Sequence, residues 1–339
     1  MIETLKELCA LPGVSGCEDA VREYIMRRAS KVSGDIVTDP MGNLIVNVKG
    51  KKTPEKKIML AAHMDEVGVI VTGFTDGGFL KFDFVGGVDR RVVIGKKVDI
   101  QTDEGVLPGV IGLKPVHLLE GEEKRRVPPT GSMYIDLGFD SREEAEKKVS
   151  LGDRGSFDAG MTLFGDGFIK AKAIDDRIGC AVMLEIMEKK PAVDCCFVFT
   201  VQEEVGTRGA AAAAWTVKPD MAVVIEGTTA ADLPSQKGTE KVCSPGKGPV
   251  IPFMDGGTIY DTGMFRQLTA LADKLGIPWQ TKTKISGGTD ASALQKTAGG
   301  AAVAAVSAAV RYIHSPSSTG CISDFENMEK LVSAYLETL

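Results

Sequence analysis

The segment AAHMDEVGVIV, residues 61–71, follows directly on KKIML and carries three ionisable side chains in an otherwise apolar run. From Ile58 to Val71 the remaining residues are aliphatic, Met, Ala or Gly, which is typical of a strand buried in a parallel sheet. Burying His63, Asp65 and Glu66 there costs roughly several kcal/mol unless each side chain is paired or binds a metal. The segment therefore predicts a buried strand with a polar site on it.

The length and composition are those of an ordinary globular protein. At 339 residues the chain is long enough for about two domains, and its hydrophobic and charged contents are 43% and 25%. The formal charge is -6 and no basic stripe is present, so we expect no nucleic-acid partner. No apolar run reaches membrane-spanning length, and the N-terminus has acids where a signal peptide has Lys or Arg. We therefore expect a cytoplasmic protein that binds no membrane.

The cysteines and histidines narrow the chemistry further. The seven cysteines are odd in number and scattered, with no C-x-x-C pair, which favours buried reduced thiols over disulfides or a Cys-based zinc site. The three histidines are His63, His117 and His314. Any histidine-dependent chemistry must use these three.

The pattern of apolar and turn-forming residues predicts an α/β domain that is interrupted by a β insert. Residues 72–156 form short β-type pieces separated by Gly and Pro, as in a small all-β barrel or sandwich. From about Gly165, helical and apolar strand patterns alternate again. We therefore expect an α/β domain from residues 1–68 plus 162–339, and an inserted β domain from residues 69–161.

Several local elements are also predicted. Two helix starts carry the capping-box pattern, Ser15 with Glu18 and Ser323 with Glu326. Strands are expected at PVIPFMD, near WQTKTKIS and in the Ala-rich run before RYIHSP. Helices are expected at DDRIGCAVMLEIMEKK and GAAAAAWTV.

Acids and histidines stand at or just beyond five predicted strand ends: His63 with Asp65, Asp175 with Asp176, Glu203 with Glu204, Glu226, and His314. Sites in open α/β sheets are built at the carboxyl ends of strands, so these side chains can converge although they are distant in sequence. Each has an ordinary alternative when taken singly. His63 would be a core histidine, the Asp pair a helix cap, and the Glu pair a solvated loop.

Taken together, these side chains indicate a metal centre. His63 and Asp65 are two residues apart on a strand and so share one face, where the carboxylate can accept the ring N–H and fix the tautomer. Two histidines with three or four carboxylates suit a pair of zinc-like ions about 3.5 to 4 Å apart, bridged by one carboxylate. A further carboxylate would then serve as general base.

Nine motifs carry a resemblance over nearly the whole chain: LPGVSGCED, AAHMDEVGVIV, KPVHLL, AIDDRIGCAV, VQEEVGTRGA, EGTTAADLP, GKGP, SGGTDAS and RYIHSP. These motifs occur in the same order in a known family, and the sequence resembles the dinuclear metallo-aminopeptidases of the tetrahedral (TET, PepA/CelM-like) type. The resemblance implies a mixed-sheet α/β zinc-peptidase domain interrupted by a small all-β dimerisation domain. It also implies cleavage of N-terminal residues from short peptides and a homo-oligomer, the family's dodecamer.

The resemblance further implies a role for each site residue. One metal would be held by His63, Asp175 and Glu226, and the other by Asp175, Glu204 and His314, with Asp175 bridging. Two divalent ions, Zn²⁺ or Co²⁺, would therefore bind each subunit. Glu203 resembles the catalytic base and Asp65 the partner that orients His63, while Glu66 either accepts hydrogen bonds behind the ligands or merely borders the site. The family also has a cis peptide after the bridging aspartate.

Some residues depart from the family pattern. Many relatives have Asp where this chain has Glu226, which keeps the carboxylate but adds one methylene. Asp261, Thr262 and Gly263 replace an NPR-like segment, so an Arg that would meet an acidic substrate side chain is missing and the preferred N-terminal residue stays open. The loop SGGTDAS is implied to line the pocket for the substrate's first residue. A structural role is expected for His117.

Other functions remain open at the level of sequence. A related metal-dependent deacylase or carboxypeptidase would use the same ligands. An endoglucanase-type glycoside hydrolase would use paired carboxylates without a metal. A non-catalytic assembly protein with this fold is disfavoured because Glu203 is present.

Overall fold

The computed structural model describes residues 1–157 and 160–339. The helices are α1 (Ile2–Ala10), α2 (Asp19–Ala29), α3 (Arg142–Lys148), α4 (Ile174–Glu188), α5 (Arg208–Val217), α6 (Thr262–Leu275), α7 (Ala291–Leu294) and α8 (Ile322–Glu337). The strands are β1 (Ile36–Thr38), β2 (Leu44–Val48), β3 (Ile58–His63), β4 (Gly68–Phe74), β5 (Leu80–Val85), β6 (Lys97–Thr102), β7 (Gly105–Gly112), β8 (Tyr134–Asp136), β9 (Arg154–Phe157), β10 (Thr162–Phe164), β11 (Phe168–Ala171), β12 (Cys195–Thr200), β13 (Met221–Thr229), β14 (Ala302–Val310) and β15 (Ser318–Cys321).

A mixed sheet with the strand order β1-β2-β12-β3-β13-β14 forms the centre of the molecule. Strand β3 is parallel to both β12 and β13, and β13 is parallel to β14. Every residue of β3 is buried, as expected for an apolar strand inside a parallel sheet. The polar residues that follow β3 therefore emerge at the carboxyl edge of the sheet.

Helices cover both faces of this sheet. Leu60 of β3 packs in the cluster that includes α4, whereas Met59 and Ala61 pack in the cluster that includes α5. This alternation follows from the period of two along a strand. The core is thus split into two apolar layers by the sheet.

The predicted β insert is a closed barrel. Its strands close in the order β4-β5-β8-β7-β6-β9, and its interior is filled by side chains such as Val69, Ile100 and Ile135. The predicted fold class, an α/β domain interrupted by a small all-β unit, is confirmed. Residues 158 and 159 of the predicted insert 69–161 lie outside the described residues.

The two predicted capping boxes are wrong. No side chain caps α2, because Ser15 donates its hydroxyl to Asp65 and Glu18 accepts the backbone N–H of Gly16 instead. Helix α8 begins one residue earlier than predicted, at Ile322, and has no side-chain cap. A local pattern does not show that a more distant partner competes for the same side chain.

Two predicted strands are wrong as well. In PVIPFMD and near WQTKTKIS the described pairing is limited to isolated bridges, such as those of Val250 with Gln280 and with Ser307. Proline has no N–H to donate, so Pro249 and Pro252 prevent a regular ladder. Among the described residues, no helix is both long and apolar enough to span a bilayer.

Candidate metal centre

The carboxyl edge of the central sheet brings the predicted site residues together. β3 ends at His63, which lies in register with Thr200 at the end of β12. Glu226 lies on the neighbouring strand β13, Asp175 near the start of α4, and His314 just after β14. The fold thus gathers side chains that are far apart in sequence.

His63 forms one half of the centre with two carboxylates. Its Nε2 atom lies 3.4 Å from Asp175 Oδ1 and 3.3 Å from Glu226 Oε1. Ligands bound to a tetrahedral zinc ion at about 2.0 to 2.1 Å are separated by about 3.3 Å. Asp175 Oδ1 and Glu226 Oε2 are also buried without a hydrogen-bond partner. This half therefore has the spacing and the unused lone pairs of a cation site.

His314 forms the other half. Its Nε2 atom lies 3.2 Å from Glu204 Oε2 and 3.7 Å from Asp175 Oδ2. Asp175 thus presents one carboxylate oxygen to each histidine. The His314 side chain is 37% exposed and that of His63 only 1%, so the centre opens to solvent on the His314 side.

The position of Asp175 depends on an irregular start of α4. Ala173 is left-handed at φ 50°, and neither Asp175 nor Asp176 has helical dihedral angles. The peptide bond between the two aspartates is cis, as expected from the resemblance. A Cβ atom on Gly227 would lie 2.9 Å from the Cβ of Asp175, so glycine is needed for this close approach.

Asp176 supports the centre without being free to bind a metal. Its Oδ2 accepts the backbone N–H of His63 at 3.1 Å, and its Oδ1 accepts that of Gly179 at 2.9 Å. The helix-cap alternative therefore describes Asp176, although not Asp175. Ligand-type atoms of His63, Asp176 and Glu226 do lie within 4.8 Å of one another, as do those of His63, Asp175 and Glu204. The unpartnered oxygen of Asp175 favours it over Asp176 as a ligand.

A turn after β12 carries the two adjacent glutamates. Gln202 is left-handed at φ 56°, and the N–H of Gly206 closes the turn onto the carbonyl oxygen of Glu203 at 2.8 Å. The N–H groups of Glu203 and Glu204 both point to the carboxylate of Asp65, at 2.9 and 3.1 Å. The turn frees the two side chains from the alternation of a strand, so Glu204 reaches His314.

Asp65 contacts His63 in a different way from the one expected. The Nδ1 atom of His63 lies 3.1 Å from the backbone oxygen of Asp65 and 3.4 Å from its Oδ1. The backbone carbonyl is therefore the nearer acceptor, which fixes the proton on Nδ1 and leaves Nε2 for the metal. The carboxylate of Asp65 is occupied mainly by other donors.

Comparison with known proteins was informative over nearly the whole chain. Residues 42–331 match the family described as M42 glutamyl aminopeptidase. The chain belongs to this family.

Individual relatives agree with that assignment. A lysyl aminopeptidase from Pyrococcus furiosus is 33% identical and covers 99% of this chain and 97% of its own. The structure of an aminopeptidase from Desulfurococcus kamchatkensis superimposes with a TM-score of 0.94 at 37% identity, covering 100% of this chain and 94% of that one. The TET1 peptidase of Pyrococcus horikoshii, described as assembling into a tetrahedron or a large octahedral shell, has a TM-score of 0.88 at 35% identity, with 100% and 99% covered.

The predicted resemblance to the TET aminopeptidases is therefore confirmed, and the chain is an M42-family aminopeptidase, a peptide hydrolase. The assignment favours this function over the deacylase, carboxypeptidase and glycoside hydrolase alternatives. The family implies divalent metal ions, and the described residues fit them. Two imidazoles face an excess of buried carboxylates, of which two retain unpartnered oxygens.

The electrostatics of the M42 centre favour added positive charge. Burial raises the pKa of Glu226 well above its usual value, with the neighbouring Asp176 charge acting in the same direction. Burial, followed by the charge of Asp175, raises the pKa of Glu204 to about 7. Burial alone would lower the pKa of His63, but nearby carboxylates, Glu226 first, raise it well above its usual value. A divalent cation relieves this crowding of buried negative charge.

Glu203 is half-buried and directly precedes Glu204 in the turn after β12. Loss of solvent around its carboxylate is the main cause that raises its pKa well above the usual value, and the charges of Glu226, Asp290 and Glu204 add to it.

Glu66 is committed to two buried cations. Its Oε1 atom lies 2.5 Å from Lys172 Nζ and 3.4 Å from an Arg177 nitrogen, and it also accepts the N–H of Gly13 at 3.0 Å. It lines a small cavity together with Asp175 and His314. Of the two alternatives for Glu66, the structure favours the one in which it borders the site.

Three other groups near the site were not identified from sequence. Ser15 and Glu18 had been assigned to a helix start, and Asp290 is a lone acid in the loop SGGTDAS. Asp290 accepts the hydroxyl of Thr200 at 2.5 Å on Oδ2, while its Oδ1 is buried without a partner. Burial raises the pKa of Asp290 to about 6. The resemblance implied that this loop lines the substrate pocket, but it gave no role to Asp290 itself.

His117 lies elsewhere. It is exposed in a short 3-10 turn, Val116–Leu118, in the barrel connection between β7 and β8.

Proposed function

We propose that this M42 aminopeptidase removes the N-terminal residue of short peptides with two divalent ions per subunit. His63, Asp175 and Glu226 hold one ion, and Asp175, Glu204 and His314 hold the other. One observation carries this proposal: the two oxygens of Asp175 face the two histidines separately. A carboxylate placed in this way is suited to bridge two ions.

Zn²⁺ or Co²⁺ at these positions supplies Lewis acidity, activates water near neutral pH and orients the free α-amine of the peptide. Glu203 accepts the proton of the attacking water and passes it to the leaving amine, which contributes about 10² to 10⁴-fold to the rate. His63 is held in the required tautomer by Asp65. Because the free α-amine would be bound, each cleavage would remove only the first residue of the peptide.

A panel of aminoacyl p-nitroanilides tests this function. The panel contains glutamyl, lysyl and leucyl substrates. Enzyme from which metal has been removed with a chelator is assayed with added Zn²⁺, Co²⁺ or Mn²⁺. We expect chelation to abolish hydrolysis, metal to restore it, and N-acetylation of the best substrate to block it. Full activity in chelator, or equal cleavage of the acetylated substrate, contradicts the proposal.

We also propose that the protein works in the cytoplasm. All seven cysteines lie among the described residues and are free, which suits a reducing compartment. Fractionation of cells that express the chain tests this, and recovery outside the cytoplasm contradicts it.

We further propose that residues 69–161 assemble the chain into a dodecamer, with residues 1–68 and 162–339 as the catalytic unit. The barrel exposes apolar side chains such as Val106, Val116 and Leu118, which are 54%, 72% and 55% exposed. Exposed apolar side chains mark a contact surface where they form a contiguous patch, and assemblies are described for the TET1 relative. Sedimentation velocity tests the size, and a fully active monomer at micromolar concentration contradicts it.

A further inference from the structure

The loop between α1 and α2 lies against the end of β3. The N–H of Ser15 donates to the carbonyl oxygen of Glu66 at 3.3 Å, and the N–H of Glu66 donates to that of Gly13 at 2.9 Å. Val14 and Glu66 are bridged in parallel. This loop therefore has a fixed position relative to the residues that follow His63.

From that position, Ser15 reaches the carboxylate that holds the glutamate turn. Its hydroxyl donates to Asp65 Oδ2 at 2.6 Å, and both side chains are buried. The same oxygen accepts the N–H of Glu204 at 3.1 Å, while Oδ1 accepts that of Glu203 at 2.9 Å. Asp65 thus links the N-terminal loop to both glutamates.

Glu18 ties the same two segments together a second time. Its Oε1 atom accepts the N–H of Gly16 at 2.7 Å and the N–H of Gln202 at 3.2 Å. Gln202 is the left-handed residue directly before Glu203. The loop and the turn are therefore joined by two buried carboxylates, those of Asp65 and Glu18.

We propose that Ser15 is a positioning residue of the aminopeptidase site: through Asp65 it sets where the base Glu203 and the ligand Glu204 stand. The proposal rests on the proposed function for the roles of these two glutamates. It assigns the Asp65 carboxylate to the glutamate turn more than to His63, whose Nδ1 is nearer to the backbone oxygen of Asp65.

The physical argument concerns the rotation of a carboxylate. The two oxygens of Asp65 accept three strong hydrogen bonds, and the Ser15 hydroxyl is the only side-chain hydroxyl among these donors. Without it the carboxylate turns toward the remaining donors and the backbone of the turn follows. A displacement of about 1 Å at a reacting group can cost about 10²-fold in rate.

The test compares three variants of the full chain. Ser15→Ala removes the hydroxyl, Ser15→Thr keeps it, and Ser156→Ala is the control. Ser156 is also buried and hydrogen-bonded, to Gln101 at 3.3 Å, but lies within the barrel. For each variant we would measure kcat and KM, the affinity for Zn²⁺ against a competing chelator, and the thermal unfolding midpoint.

We expect Ser15→Ala to lower kcat by about 10- to 100-fold, the equivalent of one hydrogen bond to a charged group, with little change in KM. Zn²⁺ affinity should fall by about tenfold because Glu204 shifts, which is the size found for losses behind metal ligands. Ser15→Thr should recover most of both quantities, and Ser156→Ala should match the wild type. Should Ser15→Ala not fold, Ser15→Cys, with a weak donor of similar size, is expected to change both in the same direction.

Two outcomes overturn the proposal. In the first, Ser15→Ala has wild-type kcat and Zn²⁺ affinity. In the second, Ser15→Ala lowers only the thermal unfolding midpoint, an effect that the control Ser156→Ala can also have. Failure of the proposed function is a separate result, because it would leave the wild type without peptidase activity while the Zn²⁺ titration, which needs no substrate, still decides the role of Ser15.

Discussion

Glu203 and Glu204 are neighbours with the same side chain, and we propose different tasks for them. Glu204 Oε2 lies 3.2 Å from His314 Nε2, whereas the N–H groups of both residues are bound by Asp65. We expect Glu203→Gln to keep both ions and to lower kcat by about 10² to 10⁴-fold, because only the proton acceptor is lost. Metal content and kcat check this.

Glu204→Gln is the matched comparison. It replaces a charged ligand by a weak neutral one, so the ion shared with His314 should bind more loosely and activity should partly return at high metal concentration. If Glu203→Gln loses an ion while Glu204→Gln keeps two, the two roles are reversed.

Asp290 offers a test of the electrostatics at the same scale. Its pKa is raised by burial to about 6, above the ordinary value of an unfolded aspartate. The folded state therefore binds the proton more tightly, so this carboxyl group lowers stability as pH rises from about 4 to above 6. In metal-free protein, we expect Asp290→Asn to gain about 2 kcal/mol of stability relative to wild type between pH 4 and pH 7.

Urea unfolding of both chains at the two pH values, with chelator present, checks this prediction. A constant difference between the chains across this range would show that Asp290 titrates normally. The comparison of the two chains removes the contribution of the acids that do not interact with Asp290.

At the scale of elements, the crossing of β13 and α4 fixes the shared aspartate. A methyl group on Gly227 would meet the backbone and side chain of Asp175 at 2.9 to 3.0 Å. We expect Gly227→Ala to cost about 1 to 3 kcal/mol of stability by overpacking, and to weaken both ions because Asp175 faces both histidines. Gly34→Ala is the control, since no atom lies within 4 Å of its added Cβ. Denaturant unfolding and metal titration of both variants measure the effect, and retention of two tight ions in Gly227→Ala would refute it.

The elements also show what the sequence can predict. The apolar strand that ends in His63 could be predicted because burial on both faces leaves a continuous apolar run, and the barrel could be predicted because its turns carry Gly and Pro. The roles of Ser15 and Glu18 could not be predicted from the sequence, because their partners Asp65 and Gln202 lie far along the chain. The strand predicted at PVIPFMD failed for a local reason, since its prolines lack the N–H groups that pairing requires.

The partners of charged site residues are equally hard to predict from the sequence. The sequence left two alternatives for Glu66, because its partners Lys172 and Arg177 lie more than a hundred residues away. Side-chain types indicated a metal centre, the resemblance implied Asp175 as the ligand, and the hydrogen bonds of Asp176 agree with that choice.

At the scale of the whole molecule, ion binding and stability are linked. Each ion that binds only the folded state adds about 2.7 kcal/mol to the unfolding free energy at 100 times its dissociation constant. We expect Zn²⁺ to raise the unfolding free energy of the chelated enzyme by roughly that amount for each site. His314→Ala should lose about one such increment, because one half of the centre loses a ligand. Equal stability with and without Zn²⁺ would contradict the site.

The barrel and the catalytic unit also meet at the centre. The N–H of Asp89, in the connection after β5, donates to the carbonyl oxygen of His314 at 3.1 Å, and an added Cβ on Gly87 would lie 3.4 Å from His314 Nδ1. The insert is therefore part of the wall around His314 as well as a candidate surface for assembly.

The site residues are spread along the chain, so they are synthesised at different times. His63 is synthesised before the barrel, Asp175 after it, and His314 only after β14. A nascent or half-folded chain holds the carboxylates without their geometry, and sites of this kind do not preexist in unfolded protein. In the proposed two-ion centre, capture of the second ion would therefore mark a chain that has completed its folding.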